Sequence, residues 1–476
     1  MNVLAIDQGT SATKALVVDA EGRVLGAGEA AVPSRLLAEG GVEQDPEMLW
    51  QSVVMAAREA LARAGVPVGS AGLANQGETV LAWDRATGRP LSAAISWQDR
   101  RAVRICEALQ GDGERLHEIT GLPLDPYFAA PKMRWLRDAG VRDGVCTTTD
   151  AWLLHRLCGR FVTDAATAAR TLLFDLGAGR WSPEACDVFD LDVETLPEVI
   201  DCAAPIGETD AFGTRVAVTA AIVDQQAALF AERCYMPGDA KCTYGTGAFL
   251  LANVGTTPRR STAGLAACVA WRLGGETTYC LDGQAYTAGA AVRWLEAVGL
   301  IHGPDDLDTL GATVTDAGGV QFVPALAGLA APFWKAQARG GFVGLSLATS
   351  RPQLVRAVID GIAAQVAWLA RTVAFDLGAP LARLRVDGGL TRCRTLLQAQ
   401  ADLLQAPVDV YPSPHATALG VAALARLGAG AAREPADAVA PWTPAAVFEP
   451  RLSSTEAETR LGAWRRAVEA TMDLVL

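Results

Sequence analysis

The first eighteen residues constrain the fold of this 476-residue chain more than any other stretch. Val3-Leu4-Ala5-Ile6 is a short apolar run. It gives way to Asp7-Gln8-Gly9-Thr10-Ser11-Ala12-Thr13-Lys14, and a second apolar run, Ala15 to Val18, follows at once. Such a pattern predicts strand, tight turn, strand. The turn offers backbone N–H groups, short hydroxyl donors and the Asp7 carboxylate, a set that suits a phosphate chain with a metal ion attached. An ordinary polar hairpin at the start of an α/β domain uses the same residue types.

Apolar strand-like runs alternate with longer helical patterns along the rest of the chain, which predicts an α/β architecture. Val3–Ile6, Ala15–Val18, Phe249–Val254 and Arg383–Val386 read as strands; Pro46–Arg63, Ala290–Val298, Gln353–Phe375 and Thr391–Leu404 read as helices. The length suits two to three domains. Polar, glycine-containing residues before a fresh apolar run place the boundary near Pro205–Ala221, dividing the chain into 1–221 and 222–476. The opening pattern has an echo near the start of the second part. Thr243-Tyr244-Gly245-Thr246-Gly247 again joins hydroxyls and glycines to a strand, Ala248 to Leu251. A third turn, Asp387-Gly388-Gly389, follows a strand and opens a helix, and its glycines would let a flat ring approach the backbone. Two like halves, each opening on such a hairpin, would set both loops around one nucleotide. Neither a Walker A motif nor a Rossmann glycine motif after a first strand is present, which disfavours a P-loop kinase or a dehydrogenase.

Bulk properties narrow the partners. A net charge of −12 argues against nucleic acid or an anionic membrane. The most apolar helical region, Val355 to Phe375, is interrupted by Arg356, Asp360 and Arg371, so no membrane span is expected, and the N-terminus shows no secretory pattern. Ten irregularly spaced cysteines without a C-x-x-C pair read as reduced thiols of a cytoplasmic protein. Lysine is scarce: only Lys14, Lys132, Lys241 and Lys335 occur. The four histidines show no metal-ligand spacing.

Further segments complete a pattern: Val42-Glu-Gln-Asp-Pro46, Asn75-Gln-Gly-Glu-Thr79, Ser96-Trp-Gln-Asp-Arg-Arg101, Asp125-Pro-Tyr-Phe128, Asp224-Gln-Gln-Ala-Ala-Leu-Phe230, and Gly340 to Asp360. With the three loops, and in this order, they resemble the FGGY carbohydrate kinases, and within them the glycerol kinases most of all. The resemblance runs from Ala5 to about Gly430. It implies two ribonuclease-H-like domains of the actin and hexokinase type with a catalytic cleft between them. It also implies transfer of the ATP γ-phosphoryl group, with Mg²⁺, to a hydroxyl of a small polyol or sugar. Carried over by position, Thr10, Ser11, Ala12 and Lys14 fall on the first phosphate loop, Thr246 on the second, and Gly289 and Gly389 on nucleotide-contacting glycines. Asp7 would hold Mg²⁺, through water. Glu78, Tyr127, Asp224 and Gln225 fall on substrate-contacting positions, with Asp224 as catalytic base. Trp97, at a polar cleft edge, and Phe249, two residues past Gly247, are candidate walls of the same site, against a plain core-packing role for each. A homo-oligomer, a dimer, is expected by analogy.

The chemistry agrees with these residue types. Phosphoryl transfer is mostly positioning and charge stabilisation, and it needs a proton acceptor beside the attacking hydroxyl. Asp224 also suits an N-cap for the run that follows it, a role compatible with catalysis. Departures from the family pattern fall on both substrates. Gly77 stands where glycerol kinases carry arginine, so a planar fork of donors is lost and space is gained. That predicts a preference for a longer polyol or a ketose over glycerol. Arg293 stands in place of a frequent glutamine and Cys393 in place of an asparagine near the adenine, which leaves nucleotide choice beyond ATP open. Ala129 and Lys335 also depart from the pattern. The loop before Gly213 is shorter than in glycerol kinases regulated by a sugar bisphosphate, so that regulation is not expected here. Pentulose or erythritol-type kinases are the alternatives within the family. A non-catalytic actin-like nucleotide switch, or a sugar sensor, is the alternative of another class; a base at Asp224 facing Glu78 and Gln225 argues against the switch, and the intact set Asp7, Thr10, Thr246 and Asp224 argues against the sensor.

Overall fold

Two mixed sheets organise the chain, and each opens on a hairpin. The computed structural model describes residues 1–472. In the first half, β1 (Val3–Gln8) and β2 (Ala12–Val18) pair antiparallel, with Asp7 opposite Lys14 and Gln8 opposite Thr13. With β3 (Val24–Ala31), β4 (Ser70–Asn75), β5 (Ala203–Thr209) and β6 (Val216–Val223) they form a six-stranded sheet of order β5-β6-β4-β1-β2-β3. β4 runs parallel to β1, and β6 runs parallel to β4. The apolar run Val3–Ile6 is continuous because both faces of β1 are covered: Val3 and Ala5 join one hydrophobic cluster, Leu4 and Ile6 another.

The second half repeats the plan. β7 (Ala240–Tyr244) and β8 (Ala248–Gly255) form the hairpin, with Tyr244 opposite Ala248. β9 (Ala266–Leu273), β10 (Glu276–Ala285), β11 (Leu384–Asp387), β12 (Val408–Val410) and β13 (Ala446–Phe448) complete a seven-stranded sheet of order β9-β10-β8-β7-β11-β12-β13. As β4 flanks β1, β11 runs parallel to β7, and β12 runs parallel to β11. Residues 205–221, expected to hold the domain boundary, lie mostly in the β5/β6 hairpin of the first sheet. The chain passes from one sheet to the other through α2 (Asp224–Ala231), between Val223 and Ala240.

Helices cover the sheet faces. α1 (Pro46–Ala64) packs on β2 and β3; Asp45 caps it by accepting from the Glu47 N–H at 2.8 Å, and Pro46 occupies its first position. α3 (Gly289–Ala297) follows β10. α4 (Arg351–Leu377) carries a capping box between Ser350 and Gln353. It is long and apolar enough to cross a membrane by those two measures, and most of it is buried against the second sheet and its neighbours. Thr391–Leu404, expected as one helix, divides into a 3₁₀ turn at Gly389–Arg392 and α5 (Arg394–Leu404), broken where Cys393 is extended. α6 (Ala416–Gly428) returns from the second half to lie on β1, β4 and β6 and against α2. The approach of α6 to α2 is close enough that a Cβ on Gly420 would sit 1.8 Å from the Ala227 carbonyl oxygen.

Candidate active site

The two hairpin turns and the start of α2 meet around one small chamber. In the first turn Gly9 N–H donates to the Ala12 carbonyl at 3.1 Å, which leaves Thr10 and Ser11 at the tip. In the second, Gly245 N–H donates to the Gly247 carbonyl at 2.9 Å, with Thr246 at the tip. Between them lies a cavity of about 200 Å³ whose walls include Thr10, Ser11 and Thr246. Every residue expected to touch the acceptor also lines it: Gly77, Glu78, Trp97 and Tyr127 from the first half, Asp224, Gln225 and Phe249 from the second. Gln76 and Thr243, to which the sequence reading gave no role, complete the wall.

One side of the chamber is aromatic. Trp97 meets the rings of Tyr127 and Phe249 edge-on, at centroid distances of 5.8 and 5.9 Å, and its indole N–H donates to Thr10 Oγ1 at 2.8 Å. Core packing and a place in the wall therefore coincide for these three rings. Such a surface suits the carbon side of a polyol, leaving its hydroxyls to the polar side. Lys132 braces this wall from beneath: its buried ammonium donates to the carbonyls of Pro126, Tyr127 and Phe128.

The polar side holds Asp224, Gln225 and Glu78. Asp224 is the first residue of α2 rather than its N-cap: Val223, the last residue of β6, takes the cap position, because strand runs into helix without a linker. The Asp224 carboxylate accepts from the Gln225 N–H at 2.7 Å and otherwise faces the chamber. Burial, with a further push from Glu78, raises its pKa to about 6, against the pull of Lys241. Lys241 is fully buried and donates to Gln225 Oε1 and Thr243 Oγ1, both at 2.7 Å. That bond identifies the Gln225 oxygen and leaves its NH₂ as the free donor. Glu78 is buried with a left-handed φ of 57°, and burial raises its pKa against the pull of Arg170.

Asp7 lies beneath the chamber, on β1. Its pKa is raised to about 7 by burial and by the charges of Asp224 and Asp387, partly offset by Lys14 across the hairpin. Carboxylates that raise one another in this way suit a divalent cation. Among the described residues no three His, Cys, Asp or Glu side chains converge closely enough to ligate a metal directly. Ala12 sits on β2 at the foot of the first turn, next to Thr13 and Lys14.

The nucleotide candidates gather in a second cavity of about 480 Å³ that shares Gly245 with the chamber. Gly289, Arg293, Gly389 and Cys393 all line it. Arg293 is exposed at its rim and Cys393 is buried, its thiol donating to Asp308 at 3.6 Å. Gly388, beside this cavity, has φ 93°, and a Cβ there would lie 2.5 Å from the Tyr244 carbonyl oxygen; the third turn thus presses directly on the second hairpin. A larger cleft of about 900 Å³, lined by residues of both halves, shares Trp97 with the chamber.

Lys132, Lys241 and Arg170 are buried neighbours of the chamber, bonded to its walls, that the sequence alone did not point to. The scarcity of lysine was the one signal for the first two: Lys132 and Lys241 are both fully buried beside the site, and Lys14 stands opposite Asp7.

Twin sheets with facing phosphate-style hairpins, and a carboxylate set against an alcohol-sized chamber, define the class of two-domain phosphotransferases with an alcohol group as acceptor. Comparison with known proteins agrees. Residues 2–231 match the N-terminal domain, and residues 240–429 the C-terminal domain, of the FGGY family of carbohydrate kinases. The chain is 44% identical to a glycerol kinase of Alkalilimnicola ehrlichii, over 98% of this chain and 97% of that one, and 43% identical to a glycerol kinase of Thermus brockianus, over 98% of each. Its fold superposes on a crystal structure of Plasmodium falciparum glycerol kinase with ADP at a TM-score of 0.91 and 29% identity, covering 100% of this chain and 99% of the other. The chain belongs to the FGGY family of carbohydrate kinases.

Proposed function

We propose that the protein transfers the γ-phosphoryl group of ATP to a hydroxyl of a small polyol of the glycerol type. The observation that carries this reading is the chamber itself. Two carboxylates, Asp224 and Glu78, face a 200 Å³ space bounded by three aromatic rings, by Gln225 and by the tips of both hairpins. Asp224 orients the attacking hydroxyl and accepts its proton as the new P–O bond forms. Glu78 accepts from a second hydroxyl, and the Gln225 amide donates to an oxygen. Thr10, Ser11, Thr246 and Lys14 offer donors to the phosphate chain, with Ala12 shaping the turn, while Gly289, Arg293, Gly389 and Cys393 flank the adenosine. Magnesium held through water at Asp7 would neutralise phosphate charge when bound. The proposed division into domains is 1–221, with the first phosphate loop, and 222–476, with the base, the second loop and the adenosine site. A homodimer belongs to this reading, testable by sedimentation equilibrium, and the ten free thiols support a reducing, cytoplasmic setting.

Gly77 bears on the acceptor. It removes a fork of donors at the chamber wall, and a Cβ there would stand 3.0 Å from Val223 Cγ2. The missing fork of donors supports an acceptor longer than glycerol, or a ketose, while the close approach to Val223 makes Gly77 a packed position of the wall rather than an open one. The test is acceptor-dependent ADP release over glycerol, erythritol, threitol, xylitol, xylulose, ribulose and gluconate, for the wild type beside Gly77→Arg. The expected result is a best acceptor of four or five carbons for the wild type and a gain on glycerol for the variant. Glycerol as best wild-type acceptor, with no gain in the variant, would sink the Gly77 argument. No acceptor-dependent ADP at all would sink the kinase reading and favour a nucleotide switch.

A further inference from the structure

Arg170 lies just beyond the short helix Ala165–Ala168, itself capped by Asp164. Its side chain is 3% exposed and does not line the acceptor chamber, yet it makes contact with two of that chamber's walls. Nε donates to Glu78 Oε1 at 2.5 Å, and Nη2 reaches the Tyr127 hydroxyl at 3.3 Å. The guanidinium also lies over the Tyr127 and Phe128 rings, 5.6 and 5.5 Å from their centroids. From its other edge, Nη1 donates to Asp282 Oδ2 and, at 2.9 Å, to Cys268 Sγ. Glu78 and Tyr127 belong to the first half; Asp282 sits on β10 and Cys268 on β9, in the second.

We infer that Arg170 is a positioning residue for acceptor recognition, which holds Glu78 in its working orientation and anchors it, through Asp282, to the sheet of the opposite half. The inference rests on reading the chamber as the acceptor site. Three features support it. A guanidinium is a planar, permanently charged fork, so it can engage two carboxylates at fixed angles where an ammonium cannot. Glu78 holds a left-handed backbone, a conformation that persists only where its surroundings enforce it. With Oε1 taken by Arg170, Oε2 is the oxygen left to meet a substrate hydroxyl. The anchor is well placed: Asp282 is opposite Leu251 in the β8/β10 ladder, two residues along each strand from Phe249 and Gln284. Gln284 Nε2 donates to the same Asp282 oxygen at 2.6 Å. One clamp therefore ties the acceptor-reading carboxylate to the strands that carry the second phosphate hairpin.

The experiment measures KM for the best acceptor of the panel and for ATP, in the wild type, Arg170→Met, Arg170→Lys and Asp282→Asn. Arg170→Met should raise the acceptor KM at least tenfold and leave the ATP KM within twofold. Arg170→Lys should recover part of that loss, since an ammonium can reach one carboxylate at a time. Asp282→Asn keeps the guanidinium and its bond to Glu78 but frees the anchored edge; it should raise the acceptor KM about three- to fivefold, again without moving the ATP KM. An unchanged acceptor KM, or equal rises for both substrates, would overturn the inference while leaving the kinase reading intact. If Arg170→Met fails to fold, Asp282→Asn decides alone, by the same criterion. A wild type that forms no acceptor-dependent ADP would overturn both.

Discussion

At the residue scale the proposed chemistry converges on Asp224. Its pKa of about 6 comes from burial and from the neighbouring Glu78, so the carboxylate is charged at neutral pH yet basic enough to take a proton. Protonation would remove the proposed base, so acceptor kcat/KM should fall as pH drops through about 6. Lys241 pulls that pKa down. Lys241→Met should therefore move the inflection upward, and a pH–rate profile of the two proteins reads the shift directly. Asp224→Asn should lower kcat by about 10²–10⁴-fold, with ATP affinity little changed. These roles differ in how visible they are in the sequence. Asp224 and Gln225 sit in one short motif and can be read there. Arg170 cannot, because Glu78 and Asp282 lie 92 and 112 residues away and only the folded chain brings the three together. Lys132 and Lys241 stand out only by rarity, since nothing local tells a buried lysine from a solvated one.

The elements that carry these residues were legible where local rules decide them. Apolar run, glycine turn, apolar run is enough to specify both hairpins, and Asp45-Pro46 is enough to start α1. Two helix starts were less visible, because a neighbour sets them. β6 runs straight into α2, which shifts Asp224 from cap to first helical residue. Gly388, pressed on Tyr244 at φ 93°, turns the chain so that the third loop opens as a 3₁₀ turn and α5 begins only at Arg394. The crossing of α2 and α6 belongs to the same scale. Since a Cβ on Gly420 would overlap the Ala227 carbonyl, Gly420→Ala must part the two helices. A loss of about 1–3 kcal/mol is expected for overpacking of this kind, measured by chemical denaturation. Stability equal to that of the wild type would show that the helices part at no cost. Because α2 begins at Asp224, the same variant should also lower kcat.

For the whole molecule, the order of the strands within each sheet was beyond the sequence, which marked two like halves and a division after residue 221. The polar stretch 205–221 resembles a linker because it holds turns, yet strand pairing absorbs most of it into the first sheet. The architecture then has a functional consequence. The phosphate hairpins come from different sheets, the acceptor chamber takes walls from both halves, and the Arg170–Asp282 pair crosses between them. In the proposed reaction, closing the halves would exclude water from the transferring phosphoryl group. Acceptor together with a non-hydrolysable ATP analogue should therefore reduce the radius of gyration in solution scattering more than the analogue alone. The most direct test of the central claim, that this chamber seats an alcohol beside a carboxylate base, is ADP formation with and without the best acceptor in the wild type and in Asp224→Asn. The account predicts ADP formation that depends on acceptor in the wild type and is nearly abolished in the variant, with a phosphorylated acceptor recovered in equal amount. ADP released at the same rate without acceptor, or an Asp224→Asn enzyme as active as the wild type, would contradict it.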